Sequence, residues 1–454
     1  MRLAARIVWF AWAAAFFGQI IAVEKSWAKS SIDFSQEENR KSVRITNYRI
    51  AAEIDYDEAV KISEFSAGMD TFLYPDEKNS TAGCSLILFA DNPHSSTQEI
   101  ELPHRYRAIR SATDEKSDAA VGIESLDAGQ VSLRKVFSIK DEISTLHIDT
   151  CIKNESERIL TFYPAEAISF FVGTVKPNYS GRIVSPTDLY FYAPYDKMNA
   201  VTITQGPKTN KEFIQVEKDS LFIAHYEREN GAVKLTSSKG WIAAQNGQNY
   251  RVTAIEFSYK NQNIEPIEYN LQVRTESLED NGSPVQAQVV LGKVTLKPGE
   301  TFEYASDWSN SASGIPIIEV KDGAAYNKTL EALTTDAGFY IFAIMGIPQD
   351  GYLGVEFLDE KDQIVKRHDY LSLILDVTLP RPSSAVSKIP TILTHEIGFP
   401  FDEKSFKNGQ YLIELQNQIK KIRLIMMDDK KNILRVIDEV KAPWKKLDET
   451  SSKP

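Results

Sequence analysis

The chain has 454 residues, 42% of them apolar and 25% charged, with 63 acidic against 52 basic side chains and a formal net charge of −11. That length implies two or three domains, and the composition is that of a folded chain able to bury sizeable cores. The negative balance excludes the basic footprint that nonspecific nucleic-acid binding needs, and it disfavours docking on anionic membranes.

The first predicted element is a secretory signal peptide over residues 1–28. Arg2 and Arg6 give a positive start, Ile7–Val23 an apolar run, and Ser26-Trp27-Ala28 small residues around a cleavage point. The run is at the short limit for spanning a bilayer, and no later segment is apolar enough, so no stable membrane span is expected after cleavage. A secreted or periplasmic location follows as the expectation.

From Ser42 onward, period-two alternation recurs in runs of about five to nine residues, broken by turn residues. "CSLILFAD", "VSLRKVFSI", "STLHIDTCIK", "LFIAHYERE" and "YRVTAIEFSY" are examples. A helical turn is expected only at Thr329–Thr334. Many short strands without intervening helices predict an all-β chain of antiparallel sandwiches. The small, polar stretch Ser309–Pro316 reads as a boundary. It separates a large domain at 29–310 from an immunoglobulin-sized β-sandwich at 316–442, followed by a polar, frayed tail at 443–454. Within the second part, "LDEKDQIV" and "MDDKKNIL" echo each other. Two ordinary hairpins with similar turns are the favoured explanation.

Chemistry-bearing motifs are sparse. No phosphate-binding loop, dinucleotide fingerprint, H-E-x-x-H or G-x-S-x-G occurs, so no cofactor and no metal are expected. Cys84 and Cys151 are the only cysteines. In an oxidising compartment they are a disulfide candidate, and equally two buried small apolar residues. Five N-x-[ST] sequons, at Asn79, Asn154, Asn178, Asn281 and Asn327, suit a secreted surface.

His147 and His225 lie in alternating strands, where a histidine is more often packed or solvated than functional. His225 is the better candidate, because Glu227 shares its strand face. The densest aromatic zone, Phe162 to Tyr195, mixes rings with Glu166, Arg182 and Asp188. Sugars offer an apolar C–H face for aromatics and hydroxyls for carboxylates and guanidinium, so this zone is a candidate glycan site. Tyr190 and Tyr192 share one strand face, and Trp241 is a further candidate stacking platform. Near the large domain's end, "LKPGETFEYASDW" reads as a Pro298-Gly299 type II turn followed by a strand. There Trp308 is expected as a packing anchor and Asp307 as a solvated or capping residue.

The run "VSLRKVFSIKDEISTLHIDTCIKNESERILTFYPAEAISFF", with the later Trp-led strand and Lys-Pro-Gly-Glu corner, resembles galactose-mutarotase-like proteins from about Ser42 to Trp308. The resemblance implies a large antiparallel supersandwich whose concave face takes carbohydrate. Aldose epimerases of that superfamily place a catalytic histidine in a His-Pro-aromatic-Phe element. Here the matching stretch is "PAEAISFF", with Ile168 near that position, and Ile168 cannot transfer protons. The expectation is therefore a secreted carbohydrate-binding protein without epimerase activity. One alternative is a carbohydrate-active enzyme using Glu166, His225 or Glu227 as acid or base. Another is a cell-envelope structural protein with an envelope protein as partner.

Overall fold

The computed structural model describes residues 30–442 except 38–39, 48, 68–69, 74–82, 91–97, 112–117, 128, 142, 176–182, 185–188, 195–201, 206–213, 218–220, 227–230, 238, 248–249, 260–266, 274–284, 336–337, 350, 374–391, 397–417 and 429. The signal segment, the tail, Arg182 and Glu227 therefore lie outside the described residues.

Within them the chain is all-β and antiparallel, in two large sheets and two small ones. The period-two alternation of the sequence is the cause. In Thr145–Asn154 every second side chain is buried, and in Val131–Ile139 the same alternation presents Val131, Leu133, Lys135, Phe137 and Ile139 to one side. Each strand thus has one face for a core and one for its surroundings.

The ten-stranded sheet runs Ile214–Glu217, Leu221–Tyr226, Leu189–Pro194, Trp241–Asn246, Arg251–Tyr259, Thr301–Ala312, Thr145–Asn154, Val131–Ile139, Ala119–Ser125, Tyr106–Arg110. The thirteen-stranded sheet is centred on the long strand Leu160–Val175, which pairs with Cys84–Phe89 and Val285–Val290. Between the two lies one continuous core that includes Leu133, Phe137, Leu146, Ile152, Phe162, Ile168, Phe170 and Trp308. Trp308 is 1% exposed and meets Phe65 edge to face, so the packing anchor expected there is present.

The turn before it is also as read. Glu300 N bonds Lys297 O, and Gly299 takes a φ of 78°, which a side chain would strain. Asn154 is wholly buried. Its side chain bonds Leu296 O and Arg158 O and accepts from Ser156 N, tying that corner to the preceding turn. It is not the surface sequon that the sequence suggested.

The C-terminal residues form two four-stranded sheets: Glu319–Lys321, Ala324–Thr335, Gly338–Gly346, Ile392–Glu396; and Ile364–Leu373, Tyr352–Leu358, Lys421–Met427, Ile433–Lys441. They enclose a second core around Tyr326, Met345, Phe357, Ile422 and Leu424. The helical turn expected at Thr329–Thr334 is instead the end of strand Ala324–Thr335, pulled into register by Gly338–Gly346. The echo between "LDEKDQIV" and "MDDKKNIL" is turn chemistry. Asp359 Oδ1 accepts from the amides of Lys361 and Gln363, and Asp428 Oδ1 from those of Lys430 and Asn432.

Ser309–Ala312, read as part of a linker, is the end of a strand paired to Arg251–Ala254. Its residues are small because the C-terminal unit packs directly on them. A Cβ on Gly323 would come within 2.5 Å of Ser309 Oγ, and one on Gly346 within 2.3 Å of Ala312 O.

Candidate functional site

The outward face of the ten-stranded sheet carries two adjoining zones, one apolar and one charged. The apolar zone consists of Tyr192, Leu221, Ile223, Trp241, Ala243, Val252 and Ala254, which pack beneath Ile317, Val320 and Ala325 of the C-terminal unit. Tyr192 is fully buried. Its ring lies stacked at 6.3 Å from that of half-buried Tyr190, and its hydroxyl donates to Gln245 Oε1 at 2.9 Å. Gln245 in turn donates to Ser313 O at 2.9 Å. As sugar platforms Tyr192 and Trp241 are therefore corrected: they seat the C-terminal unit. The reason is ordinary hydrophobic burial, since two large rings on a sheet face are covered by whatever apolar surface reaches them first.

Beside this seam a charged row crosses the sheet. In register, Trp241 pairs with Glu256, Glu256 with Asp307, and Asp307 with His147. Directly opposed residues share a face with Cβ atoms about 5 Å apart, so four consecutive strands bring these side chains into one line. Asp149 stands two residues after His147 and therefore on the same face.

His147 Nδ1 lies 2.6 Å from Asp307 Oδ1, and Nε2 lies 3.3 Å from Asp149 Oδ2. These bonds, to Asp149 and to Asp307, push the imidazole up to about 9, so it is a cation at neutral pH. All three side chains remain more than a third exposed. Glu256 is deeper. Burial, with Asp322 and Asp307 adding like charge, pushes its carboxyl up to about 7, against the amide of Gly323, which donates to Oε2 at 3.2 Å.

Glu166, the sequence's acid candidate, is not on this face. It points into the inter-sheet core, 4% exposed. Lys135 Nζ sits 3.0 Å from Oε1, the Tyr304 hydroxyl donates to the same oxygen, and Cys84 Sγ donates to Oε2 at 3.3 Å. This closed network holds the two sheets together and admits no sugar. Burial and Glu166 push the Cys84 thiol well above its ordinary value. Cys84 and Cys151 are not joined in a disulfide, so the disulfide candidate is corrected as well. They stand in different sheets, and the Cys84 thiol points into the core toward Glu166 while Cys151 lies on the opposite face of its strand.

His225 is paired at the backbone with Tyr190, and Glu227 and Arg182 lie outside the described residues. Among the described residues no group of three His, Cys, Asp or Glu side chains is placed to hold a metal ion. The sequence reading missed Asp307, His147, Asp149 and Glu256 as a group. Each looks like an ordinary outward strand residue, and only the pairing of strands 160 positions apart joins them.

No protein-family model matches the chain, and no curated protein matches it. Solved structures do. A galactose mutarotase-like protein from Lactobacillus casei is 10% identical, at a TM-score of 0.39, over 59% of this chain and 99% of that one. A putative aldose 1-epimerase from Escherichia coli is 11% identical, at 0.39, over 62% and 99%. A TPR-domain containing protein from Parabacteroides distasonis is 13% identical, at 0.42, over 65% of this chain and 55% of that one. The chain is thus an all-β protein with galactose mutarotase-like structural neighbours.

Proposed function

We propose that this is a carbohydrate-binding protein that holds its sugar on the outward face of the ten-stranded sheet, at His147, Asp149 and Asp307. The observation that carries the reading is the exposed carboxylate–imidazolium–carboxylate line. Both imidazolium N–H groups are held by the two carboxylates, which are thereby fixed in place with lone pairs left to accept from vicinal hydroxyls. Binding without epimerisation is part of the proposal, as is export, which rests on the Arg2 to Ala28 segment.

One observation favours a second, enzymatic reading. Glu256 at about 7 is poised to exchange a proton at neutral pH, in line with the cationic His147. Glycan-array binding of the full chain, repeated with Asp307→Ala, tests the first reading. Binding to a defined sugar that drops at least 10-fold in the variant supports it, and undiminished binding removes the site. Anomer interconversion of that sugar, followed by NMR and abolished by Glu256→Gln, would move the assignment to the enzyme.

A further inference from the structure

The hairpin turn that touches Glu256 is held from both sides through one peptide group. Gly323 N donates to Glu256 Oε2 at 3.2 Å, and Asp322 O accepts from Arg435 Nη1 at 3.0 Å. Asp322 and Gly323 both take left-handed backbone angles, φ 49° and 75°, so the turn is tight and its peptide is fixed.

Arg435 uses only that one bond. Its Nε and Nη2 are shut off from solvent and have no protein hydrogen-bond partner among the described residues. Buried donors are almost always satisfied, and an unmet charged donor is among the costlier defects a fold can carry. These two atoms form the parallel edge of the guanidinium that matches a carboxylate two-pronged. The Asp322 carboxylate lies near enough to act on the Arg435 charge, yet the turn gives Arg435 its backbone oxygen, and the side chain stays exposed. Tyr326 also acts on the Arg435 charge, but its hydroxyl is committed to Ile437 O. The same seam holds another unmet donor, Trp241 Nε1, paired in register with Glu256. Arg435 sits on the edge strand of its sheet, and its neighbours Leu434 and Val436 are 42% and 45% exposed, so the surface is close by.

We propose that the Nε–Nη2 edge of Arg435 is a carboxylate-binding site, and that the sugar this protein takes is an acidic one whose carboxylate docks there. The second half of this rests on the carbohydrate reading above; the first half stands on Arg435 alone. A carboxylate reaches the edge only when the side chains that close it from solvent move aside, and it would then meet both donors at once, while neutral hydroxyls meet them singly and without opposite charge.

The test is titration of the full chain with sodium glucuronate, glucose and sodium acetate. Calorimetry is read for wild type, Arg435→Lys and Arg435→Gln, alongside the Arg435 Nε–H resonance of wild type. Arg435→Lys keeps the charge and loses the fork, and thermal melts confirm that each variant is folded. The expected result is that glucuronate binds at least 10-fold tighter than glucose, shifts the Nε–H resonance, and loses at least 10-fold in both variants, while glucose is unchanged. A shift with acetate but no binding of either sugar keeps the carboxylate site and overturns the acidic-sugar assignment. Equal affinity for glucose and glucuronate, or glucuronate affinity unchanged in Arg435→Lys, overturns the acidic-sugar assignment and leaves the carbohydrate reading standing. An Nε–H resonance unmoved by both carboxylates overturns the site itself.

Discussion

His147 and Asp307, 160 positions apart in the chain, meet across paired strands with Nδ1 2.6 Å from Oδ1. With Asp149 on the other ring nitrogen, this contact turns an ordinary strand histidine into a fixed cation on the outward face of a large sheet.

The first prediction concerns that cation. His147 is raised in the fold from about 6.5 to about 9. Its contribution to stability is therefore complete below the unfolded value and is lost as pH rises through the folded one. Urea midpoints of wild type should fall between pH 6.5 and 9 relative to His147→Asn, whose profile should be flatter there. NMR titration of Asp307→Asn should find the imidazole back toward its ordinary range.

The second concerns the buried network. Removing one partner leaves an uncompensated charge in the core, so Lys135→Met or Glu166→Leu alone should each cost about 3–5 kcal/mol in chemical denaturation. The double variant, which replaces both partners by apolar groups, should recover most of that loss. Additive losses would show that the pair is not coupled.

A third follows from the hairpin. A methyl at Gly323 meets Ser309 Oγ and a backbone angle hostile to side chains. Gly323→Ala should cost about 1–3 kcal/mol and loosen the turn from Glu256. The group then gains water, and its pKa, raised chiefly by burial, should drop toward the ordinary carboxylate range despite the lost amide bond. A carboxyl resonance still titrating near pH 7 in the variant would contradict burial as the cause.

The charge ladder of the C-terminal sheet gives a fourth. Glu356, 1% exposed, is flanked by Arg367 and Arg423, and Arg423 continues to Glu439. Glu356→Ala should destabilise by about 1.5–3 kcal/mol, because it removes the carboxylate between Arg367 and Arg423 while Arg423 keeps Glu439. Glu439→Ala, at the exposed end, should cost no more than about 1 kcal/mol. Comparable losses would mean that burial does not set the difference.

Much of the fold could be read from the chain because alternation is a local property. The strands, the Pro298-Gly299 turn and the Trp308 anchor each depend on a few neighbouring residues. The site could not be read the same way. Aromatic density around Tyr190 and Tyr192 marks a surface that must be covered, and sequence does not say whether a sugar or the chain's own Ile317 and Val320 will cover it. Glu166 and Asp307 were exchanged in role for a similar reason. Inward and outward differ by one residue of register. Tyr304 and Asp307, three residues apart on one strand, therefore belong to opposite worlds, one sealing Glu166 in the core and the other facing outward to His147.

The most direct test of the account is the His147 ring resonance in NMR, observed while the sugar identified on the array is titrated into the wild-type chain and into Asp307→Ala. A sugar held at His147 and Asp307 gives a saturable shift of that resonance in wild type and an affinity at least 10-fold weaker in the variant, the scale of one charge-assisted hydrogen bond. Saturable sugar binding that leaves the His147 resonance unmoved and is unaffected by Asp307→Ala would contradict it.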